Sequence, residues 1–188
     1  MRYFIDSEFR EDGKIIDLIS IALVAEDGRE FYGISTAARL DLCDSWLREN
    51  VMAKLAAYGD KAWMSRNEIR QAVTLFTGGV LDGGFSGGLI LPPVEDPKPE
   101  FWLYYGATDW VAFYQLWGKL VEFPERFPKW FRELKQFAVD VGNPKFPAKP
   151  KDAHNALADA RWARDTHAFL VEHRRVPGRL SDGPDRHD

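Results

Sequence analysis

The stretch that decides the fold is residues 15–35, IIDLISIALVAEDGREFYGIS. Residues 15–25 are almost continuously apolar and rich in β-branched side chains, and residues 29–35 alternate aromatic and polar side chains. Asp27-Gly28 lies between them. Asp-Gly between two strand-like runs is a strong hairpin signal, because a tight turn needs residues that reach positive φ. The sequence therefore predicts an antiparallel hairpin.

The segments on either side extend this pattern. Arg2–Asp6 is short, apolar and aromatic, which is typical of a buried first strand. Leu40–Leu55 places apolar residues at helical spacing and predicts one helix. Ser65 followed by Glu68 fits a capping box, so a second helix is predicted to begin at Ser65. The chain thus begins with three antiparallel strands, followed by helices.

The second half of the chain alternates strand-like and helix-like segments, as crossover connections between parallel strands require. We therefore predict an α/β fold with a mixed sheet, three antiparallel strands and then parallel ones, flanked by helices. The predicted segments are a strand at Phe101–Tyr105, a helix at Thr108–Trp117, an extended segment at Lys129–Arg132 leading into a helix to about Val141, and a helix from about Asn155 to His173.

Two segments break this pattern and set the limits of the domain. Residues 78–99 hold six Gly and four Pro and are predicted to form a long surface loop, of a length that is often functional. Residues 174–188 are rich in Arg, Asp, Gly and Pro and are predicted to form a disordered tail. The sequence therefore predicts one domain over residues 1–173.

The composition limits the classes of protein to consider. Of the 188 residues, 45% are hydrophobic and 14% are aromatic, which excludes a wholly disordered chain. The formal net charge of −4 disfavours a protein that coats nucleic acid without sequence preference, since such proteins are basic. The charge is compatible with an enzyme that holds cations beside a phosphate backbone, because such a site is itself acidic.

Cysteine usage and the N-terminus indicate a compartment. Cys43 is the single cysteine, so no internal disulfide can form and no zinc spacing exists. No apolar run approaches the length of about 18 residues that indicates a membrane span. Acids appear from Asp6 onwards, where a secretory signal would need an apolar stretch. We therefore expect a cytoplasmic protein without a membrane segment.

Asp6 and Glu8 are the first candidate site residues. They lie two positions apart on a predicted strand, so their carboxylates point to the same face of the sheet. Two like charges held close together are unfavourable unless a cation neutralises them, which indicates a metal site. The alternative is chance, because Asp-x-Glu is a short and common pattern.

His154 and Asp159 form the second candidate pair, in the stretch HNALADA. Asp159 lies on the inward side of an apolar-striped helix, and His154 lies at the N-terminal edge of that helix. Residues five apart do not share a helix face, so the two side chains are not a simple ion pair on the helix surface. The functional interpretation is that Asp159 is a rigid metal ligand and that His154 is a mobile base. The alternative is a buried Asp159 bonded to Arg161 or to a backbone donor, with His154 as a loop or capping residue.

Asp109 is the third candidate. It follows a predicted inner strand and opens a helix, and ligand sites in α/β sheets gather at the carboxyl ends of strands. The alternative is an ordinary acid in a first helical turn, where the helix dipole favours negative charge.

The order of these residues along the chain is more informative than any one of them. With an Asp-x-Glu on the first strand, an Asp after the fourth and a His-x-Ala-x-x-Asp on the last helix, the sequence resembles the DEDDh family of 3′–5′ exonucleases, which have a ribonuclease H-like fold. Tyr3–Ser35 and Trp130–Gln136 are similar to a small bacterial and phage 3′–5′ exoribonuclease group within that family. The resemblance covers roughly residues 1–172, and the matching positions are Asp6, Glu8, Asp109, His154 and Asp159.

The resemblance implies hydrolysis of phosphodiester bonds from the RNA 3′ end, with release of nucleoside 5′-monophosphates. It implies two Mg²⁺ or Mn²⁺ ions, hard cations that prefer oxygen ligands. Asp6 would bridge both ions, with Glu8 and Asp159 on the first. Asp109 would help hold the second, and His154 would be the general base for the attacking water. The resemblance also implies a homodimer.

Candidate substrate contacts lie next to these acids. The lysine-rich loop at 145–151 suits a phosphate-binding edge, and aromatic side chains beside the acids could stack on a terminal base. The alternatives are a solvated loop and ordinary packing; packing is also the interpretation of Trp46, on a helical stripe. The candidates are Ser7, Phe9, Trp110, Lys149 and Lys151.

Four functions are open on the sequence alone. The leading hypothesis is a 3′–5′ exoribonuclease, and the same chemistry on DNA is the nearest alternative. A catalytically silent nucleic-acid-binding relative is a third, although all five expected side chains are present. An endonuclease of the ribonuclease H type is a fourth, but such an enzyme would not need His154.

Overall fold

A computed structural model of the chain describes residues 1–79 and 98–175. Its six strands form one mixed sheet in the order β4-β3-β2-β1-β5-β6. β1, β2 and β3 are antiparallel, while β4, β5 and β6 each pair in parallel with their neighbour, so the predicted α/β fold is confirmed. The strands are β1 (Arg2–Glu11), β2 (Ile16–Ala25), β3 (Glu30–Ser35), β4 (Trp63–Met64), β5 (Glu100–Leu103) and β6 (Arg132–Glu133).

Five α-helices of the described residues flank the sheet. Because none of them in the described part of the chain combines the length and the hydropathy that a bilayer span requires, the structure contains no transmembrane helix among those residues. The helices are α1 (Ser45–Asn50), α2 (Arg66–Phe76), α3 (Ala107–Tyr114), α4 (Leu134–Asp140) and α5 (Ala156–Arg175).

The hairpin and the capping box form as predicted. The Asp27 carboxylate accepts a hydrogen bond from the backbone N–H of Arg29, and Gly28 has a φ of 91°, which a side chain would disfavour. At the start of α2, the Ser65 hydroxyl accepts from the Glu68 N–H and the Glu68 carboxylate accepts from the Ser65 N–H. Local turn and cap chemistry therefore determines these two features.

The alternation of β1 decides which residues reach the site. Tyr3 and Ile5 point into the larger hydrophobic core, against α2 and α3. Phe4 points to the opposite face and packs against α4 and α5. Since side chains of a strand alternate between faces, Asp6 and Glu8 continue the face of Phe4 and lie under α5.

The single helix predicted over Leu40–Leu55 is wrong. The structure has a 3-10 turn at Leu40–Leu42, the short helix α1 and a second 3-10 turn at Met52–Lys54. The Asp44 carboxylate accepts a hydrogen bond from the Leu47 N–H and so starts α1 within the predicted helix. Of the predicted apolar stripe, Leu47 and Val51 pack around Ile19 through short turns, whereas Leu42 and Trp46 are exposed.

Several predicted bounds also change. β1 continues past Asp6 to Glu11, and the two-residue strand β4 was not predicted. β5 ends at Leu103 because Tyr105 has a φ of 52° and leaves the extended conformation. α3 ends at Tyr114, and a 3-10 turn completes the predicted helix. Residues 80–97 of the predicted loop and 176–188 of the predicted tail lie outside the described residues, while α5 extends through Arg175.

Candidate active site

The candidate acids of β1 lie where that strand extends beyond its parallel neighbour. The last β1–β5 pair is Phe4 with Trp102, so among the described residues β2 is the one strand beside Asp6 and Glu8, which lie opposite Ala22 and Ser20. The two acids therefore lie at the carboxyl end of the central strand, beyond its pairing with β5. Ligand sites in α/β sheets gather at such strand ends.

Asp159 reaches the same face from the first turn of α5. Ala156 and Ala160 of this helix pack on Ala22 and Val24 of β2, and these small side chains let the helix approach the sheet closely. The Asp159 side chain is 5% exposed. Its carboxylate therefore points at the sheet surface and not at solvent.

Three carboxylates converge as a result. Asp6, Glu8 and Asp159 each offer an oxygen, and these oxygens all lie within 4.8 Å of one another. We call this group the carboxylate cluster. It combines the first and second candidate motifs, which lie about 150 residues apart in the chain.

Burial and mutual repulsion disfavour full ionisation of the cluster. Burial, followed by the charges of Asp109, Asp159 and Glu8, raises the pKa of Asp6 well above its usual range. Burial, followed by the charges of Asp159 and Asp109, raises the pKa of Glu8 to about 8. A divalent cation would relieve this repulsion, and carboxylate oxygens are the ligands that Mg²⁺ and Mn²⁺ prefer. The residues present fit such an ion.

Asp109 approaches from the other face of the sheet. Its Oδ1 accepts hydrogen bonds from the backbone N–H of Ser7 at 2.9 Å and from the Ser7 hydroxyl at 2.7 Å. Burial raises its pKa, while these two hydrogen bonds oppose the rise. Asp109 is not one of the three clustered carboxylates, but its charge acts on Asp6. Ser7 thus connects Asp109 to the strand that carries the cluster.

The turn before α3 sets the position of Asp109. The Glu133 carboxylate accepts hydrogen bonds from the N–H groups of Tyr105, at 2.9 Å, and Gly106, at 3.0 Å. A Cβ on Gly106 would lie 2.1 Å from the Cβ of Leu103, so no other residue fits there. Glu133 was not singled out from the sequence, because it lies 27 residues from Gly106 and contacts the turn only in the folded chain.

His154 lies beside the cluster, tied to it by its backbone. Its N–H donates to Oδ2 of Asp159 at 2.7 Å, and its φ of 66° is rare for a residue with a side chain. The exposed imidazole ring lies 4.9 Å from the ring of Trp46, edge to face. The alternative interpretation from the sequence gave Asp159 either a backbone donor or Arg161 as its partner. The structure shows the backbone donor, and Arg161 pairs with Glu30.

The lysine-rich loop contributes one direct contact. The Lys149 ammonium lies 3.1 Å from Oδ1 of Asp159. Lys145 and Lys151 are exposed and form no ion pair with any described residue. The structure thus separates Lys149 from the other lysines of the predicted phosphate-binding edge.

The two aromatic candidates differ in exposure. Phe9 follows the acids and is partly exposed. Trp110 is 9% exposed and stacks on Phe113 in the larger core, at 5.2 Å between ring centroids. The structure therefore shows Trp110 in ordinary core packing, which was the alternative interpretation of this residue from the sequence.

Three further residues near the site were missed from the sequence. Trp46, interpreted as packing, is 50% exposed and contacts His154. The Lys54 ammonium donates to the carbonyl of Ala153, and its charge acts on Glu8. Both residues belong to Leu40–Leu55, which was predicted as one helix. Because that prediction assigned the segment to packing, neither residue was considered for the site. The third residue, Ser20, has a buried hydroxyl that finds no hydrogen-bond partner among the described residues and lies opposite Glu8.

Comparison with known proteins assigns the chain to a family. No family model matches the sequence. Two curated proteins of Mycobacterium tuberculosis, from strains CDC 1551 and H37Rv and both named 3′–5′ exoribonuclease, are each 43% identical to it over 161 residues. The match spans 86% of this chain and 88% of each relative. With its mixed sheet and carboxylate cluster, the chain belongs to the small 3′–5′ exoribonucleases of the ribonuclease H-like group.

Proposed function

We propose that this protein is a metal-dependent 3′–5′ exoribonuclease that releases nucleoside 5′-monophosphates. The observation that carries the proposal is the convergence of Asp6, Glu8 and Asp159 within 4.8 Å at the carboxyl end of the central strand, beyond its pairing with β5. The identity of 43% to proteins named 3′–5′ exoribonuclease supports the substrate class and the direction of degradation.

The carboxylates divide into two groups of metal ligands in this proposal. Asp6, Glu8 and Asp159 would hold the first ion, and Asp6 with Asp109 would hold the second. When bound, two Mg²⁺ or Mn²⁺ ions neutralise the phosphate, activate water and stabilise the leaving oxygen. Ser7 keeps Asp109 oriented through its two hydrogen bonds, so loss of the Ser7 hydroxyl would loosen the second group.

His154 acts as the general base. Its backbone is bonded to Asp159, which keeps the residue beside the cluster, while its ring is exposed and free of bonds to the acids. A neutral imidazole nitrogen can accept a proton from water, which is what a general base must do. The imidazole would take the proton of the attacking water and release it to solvent.

The substrate contacts come from the residues around the cluster. Phe9 would stack on the terminal base without reading its identity, and Ser7 lies beside the reacting end. Lys149 and Lys151 would contact phosphates of the bound strand. A preference for RNA over DNA requires a contact to the 2′-hydroxyl.

The test is a time course on a 5′-labelled single-stranded RNA and on the matching DNA, with Mg²⁺, with Mn²⁺ and with EDTA. We expect a ladder that shortens from the 3′ end of the RNA, that EDTA abolishes, and that yields nucleoside 5′-monophosphates by chromatography. A ladder on DNA but not on RNA would show that the substrate is DNA and would contradict the proposed RNA specificity. No product from folded protein under any condition would refute the proposal and favour a silent binding module.

Two further measurements separate the remaining alternatives. A circular RNA has no 3′ end, so we expect no cleavage of it, whereas an endonuclease would cut it. The family resemblance also predicts a homodimer, so light scattering on the purified protein should give twice the chain mass of 21.5 kDa.

A further inference from the structure

The Lys149 side chain forms an ion pair with one acid of the carboxylate cluster. The Lys149 ammonium lies 3.1 Å from Oδ1 of Asp159, 4.4 Å from the centre of the Trp162 ring and 5.2 Å from the centre of the Tyr104 ring. Ammonium groups are attracted to the faces of aromatic rings. The side chain is thus held by one carboxylate and two rings, although 47% of its surface is exposed.

The location of this ammonium matters for the acids. Burial and the neighbouring carboxylates raise the pKa of Asp6 and of Glu8. The charge of Lys149 opposes that rise in Asp6, and the charges of Lys54 and then Lys149 oppose it in Glu8. Asp159 has Lys149 as its ion-pair partner among the described residues. The lysine therefore supplies part of the positive charge that the cluster needs when no other cation is present.

We propose that Lys149 is an exchangeable internal cation of the site. It pairs with Asp159 while no divalent ion is bound, and ion binding releases its ammonium to a phosphate of the RNA substrate. The proposal rests on the proposed function, because it assumes that the cluster binds a divalent ion and that RNA follows.

Three features of the contact favour exchange over a permanent pair. A divalent ion held by the three carboxylates would have the same sign as the Lys149 ammonium, which lies 3.1 Å from Oδ1 of Asp159, so the two cations would repel each other. The ammonium is half-exposed on a flexible stem, so leaving the carboxylate exposes little new surface. Oδ2 of Asp159 stays bonded to the N–H of His154, which keeps the carboxylate oriented after the lysine leaves.

The first test measures metal affinity without RNA, so that no hydrolysis intervenes. Calorimetric titration with Mn²⁺ compares the wild type with Lys149→Met and with Lys151→Met, an exposed lysine two residues away that makes no ion pair with a described residue. Both substitutions remove one positive charge from the same loop. We expect Lys149→Met to bind Mn²⁺ about two- to tenfold more tightly, since a competitor worth about 0.4–1.4 kcal/mol is gone, and Lys151→Met to match the wild type.

The second test follows the lysine itself. Trp162 loses a charged neighbour when the ammonium leaves, so Mg²⁺ should change the tryptophan emission of the wild type. We expect no such change in Lys149→Met, or in Trp162→Phe, which keeps a ring under the ammonium but removes the reporter. Lys149→Arg, which retains the charge, should keep a metal-dependent signal and confirms that the site is folded.

The third test concerns the substrate. Lys149→Met should raise the KM for RNA several-fold with little change in kcat, because the ammonium contacts a phosphate that does not react, and Lys149→Arg should restore the KM. Equal Mn²⁺ affinities for the two methionine variants, or a wild-type emission that ignores Mg²⁺, would overturn the proposal. Failure of the proposed function is a separate result, the absence of any metal-dependent RNA ladder from the wild type.

Discussion

Two buried ionisable side chains of α5 have opposite surroundings. Asp159 is 5% exposed and His167, two turns further on, is 6% exposed. The His167 ring lies against the rings of Trp102, at 4.4 Å, and of Phe4 and Phe137. Burial, assisted by the charge of Arg2, lowers the pKa of His167 to about 4, so this histidine is neutral at physiological pH.

Asp159 is surrounded by charge instead. Two further carboxylates and one ammonium lie at its end of the helix, at the carboxyl end of β1. A neutral histidine among aromatic rings is a packing residue, whereas like charges held together leave a repulsion that a proton or a metal cation removes. Burial alone therefore does not distinguish a functional ionisable group, but the sign of its neighbours does.

The largest effect is expected from the acids. Asp6→Asn keeps the shape of the side chain and should lower RNA hydrolysis at least about a thousandfold, because a bound ion contributes several kcal/mol to the transition state and about 1.4 kcal/mol is tenfold. The same variant should raise the Tm of the metal-free protein at pH 8, since it removes one of the crowded charges. Normal RNA hydrolysis by Asp6→Asn would show that the carboxylate cluster is not needed for catalysis.

The next effect is expected from His154. His154→Gln should lower kcat by about a hundredfold or more, which is the usual contribution of a general base, and leave the affinity for Mn²⁺ unchanged, because the backbone N–H that bonds Asp159 is retained. Single-turnover kinetics and calorimetric titration measure the two quantities. A large loss of Mn²⁺ affinity would instead make His154 a metal ligand.

The pH dependence of the free energy of unfolding is expected to differ between the carboxylate cluster and the surroundings of His167. The pKa of Glu8 is raised from 4.5 to about 8 in the folded protein, so the folded state binds the proton more tightly than the unfolded chain. In EDTA, the stability that this proton supplies is present below about pH 4.5 and is lost as the pH rises through 8. Thermal scans from pH 5 to pH 8 should show Tm falling by about 2 to 4 °C for each kcal/mol lost, and Glu8→Gln should flatten the curve.

The smallest effect is expected at His167. Its folded pKa is lowered from 6.5 to about 4, so the unfolded chain binds the proton more tightly and stability is lost as the pH falls from about 6.5 to 4. His167→Phe should remove this loss and leave RNA hydrolysis at pH 7 unchanged. The measurement is the difference in Tm between variant and wild type at pH 4.5 and at pH 7. Reduced turnover in His167→Phe would contradict the contrast between the two sites.

The parts of the fold that depend on local chemistry could be predicted from the sequence. The Asp27-Gly28 turn and the Ser65 cap form because neighbouring residues suffice to make them. The Leu40–Leu55 segment was predicted wrongly, because its apolar spacing fits a helix while Asp44 caps a new helix inside it and Leu47 and Val51 pack on Ile19 of β2. The family resemblance identified the candidate acids, and strand alternation correctly placed Asp6 and Glu8 on one face.

The immediate surroundings of the site required the structure. The Glu133 bonds to the Tyr105 turn, the contact of Trp46 with His154 and the rings around Lys149 all join residues that are distant in the chain. No periodicity or short motif encodes such contacts. The burial of Trp110 likewise depends on which side of α3 meets the sheet, and a residue next to Asp109 could have faced either way.

In the proposed mechanism, the left-handed backbone of His154 sets folding against catalysis at a single residue. A φ of 66° costs a residue with a Cβ about 1 kcal/mol, whereas glycine adopts it freely and asparagine tolerates it. Selection for heat resistance alone would therefore replace this histidine with Gly or Asn, and selection for RNA turnover would restore it. Thermostabilised descendants of this enzyme would need to hold position 154 fixed and gain their stability elsewhere.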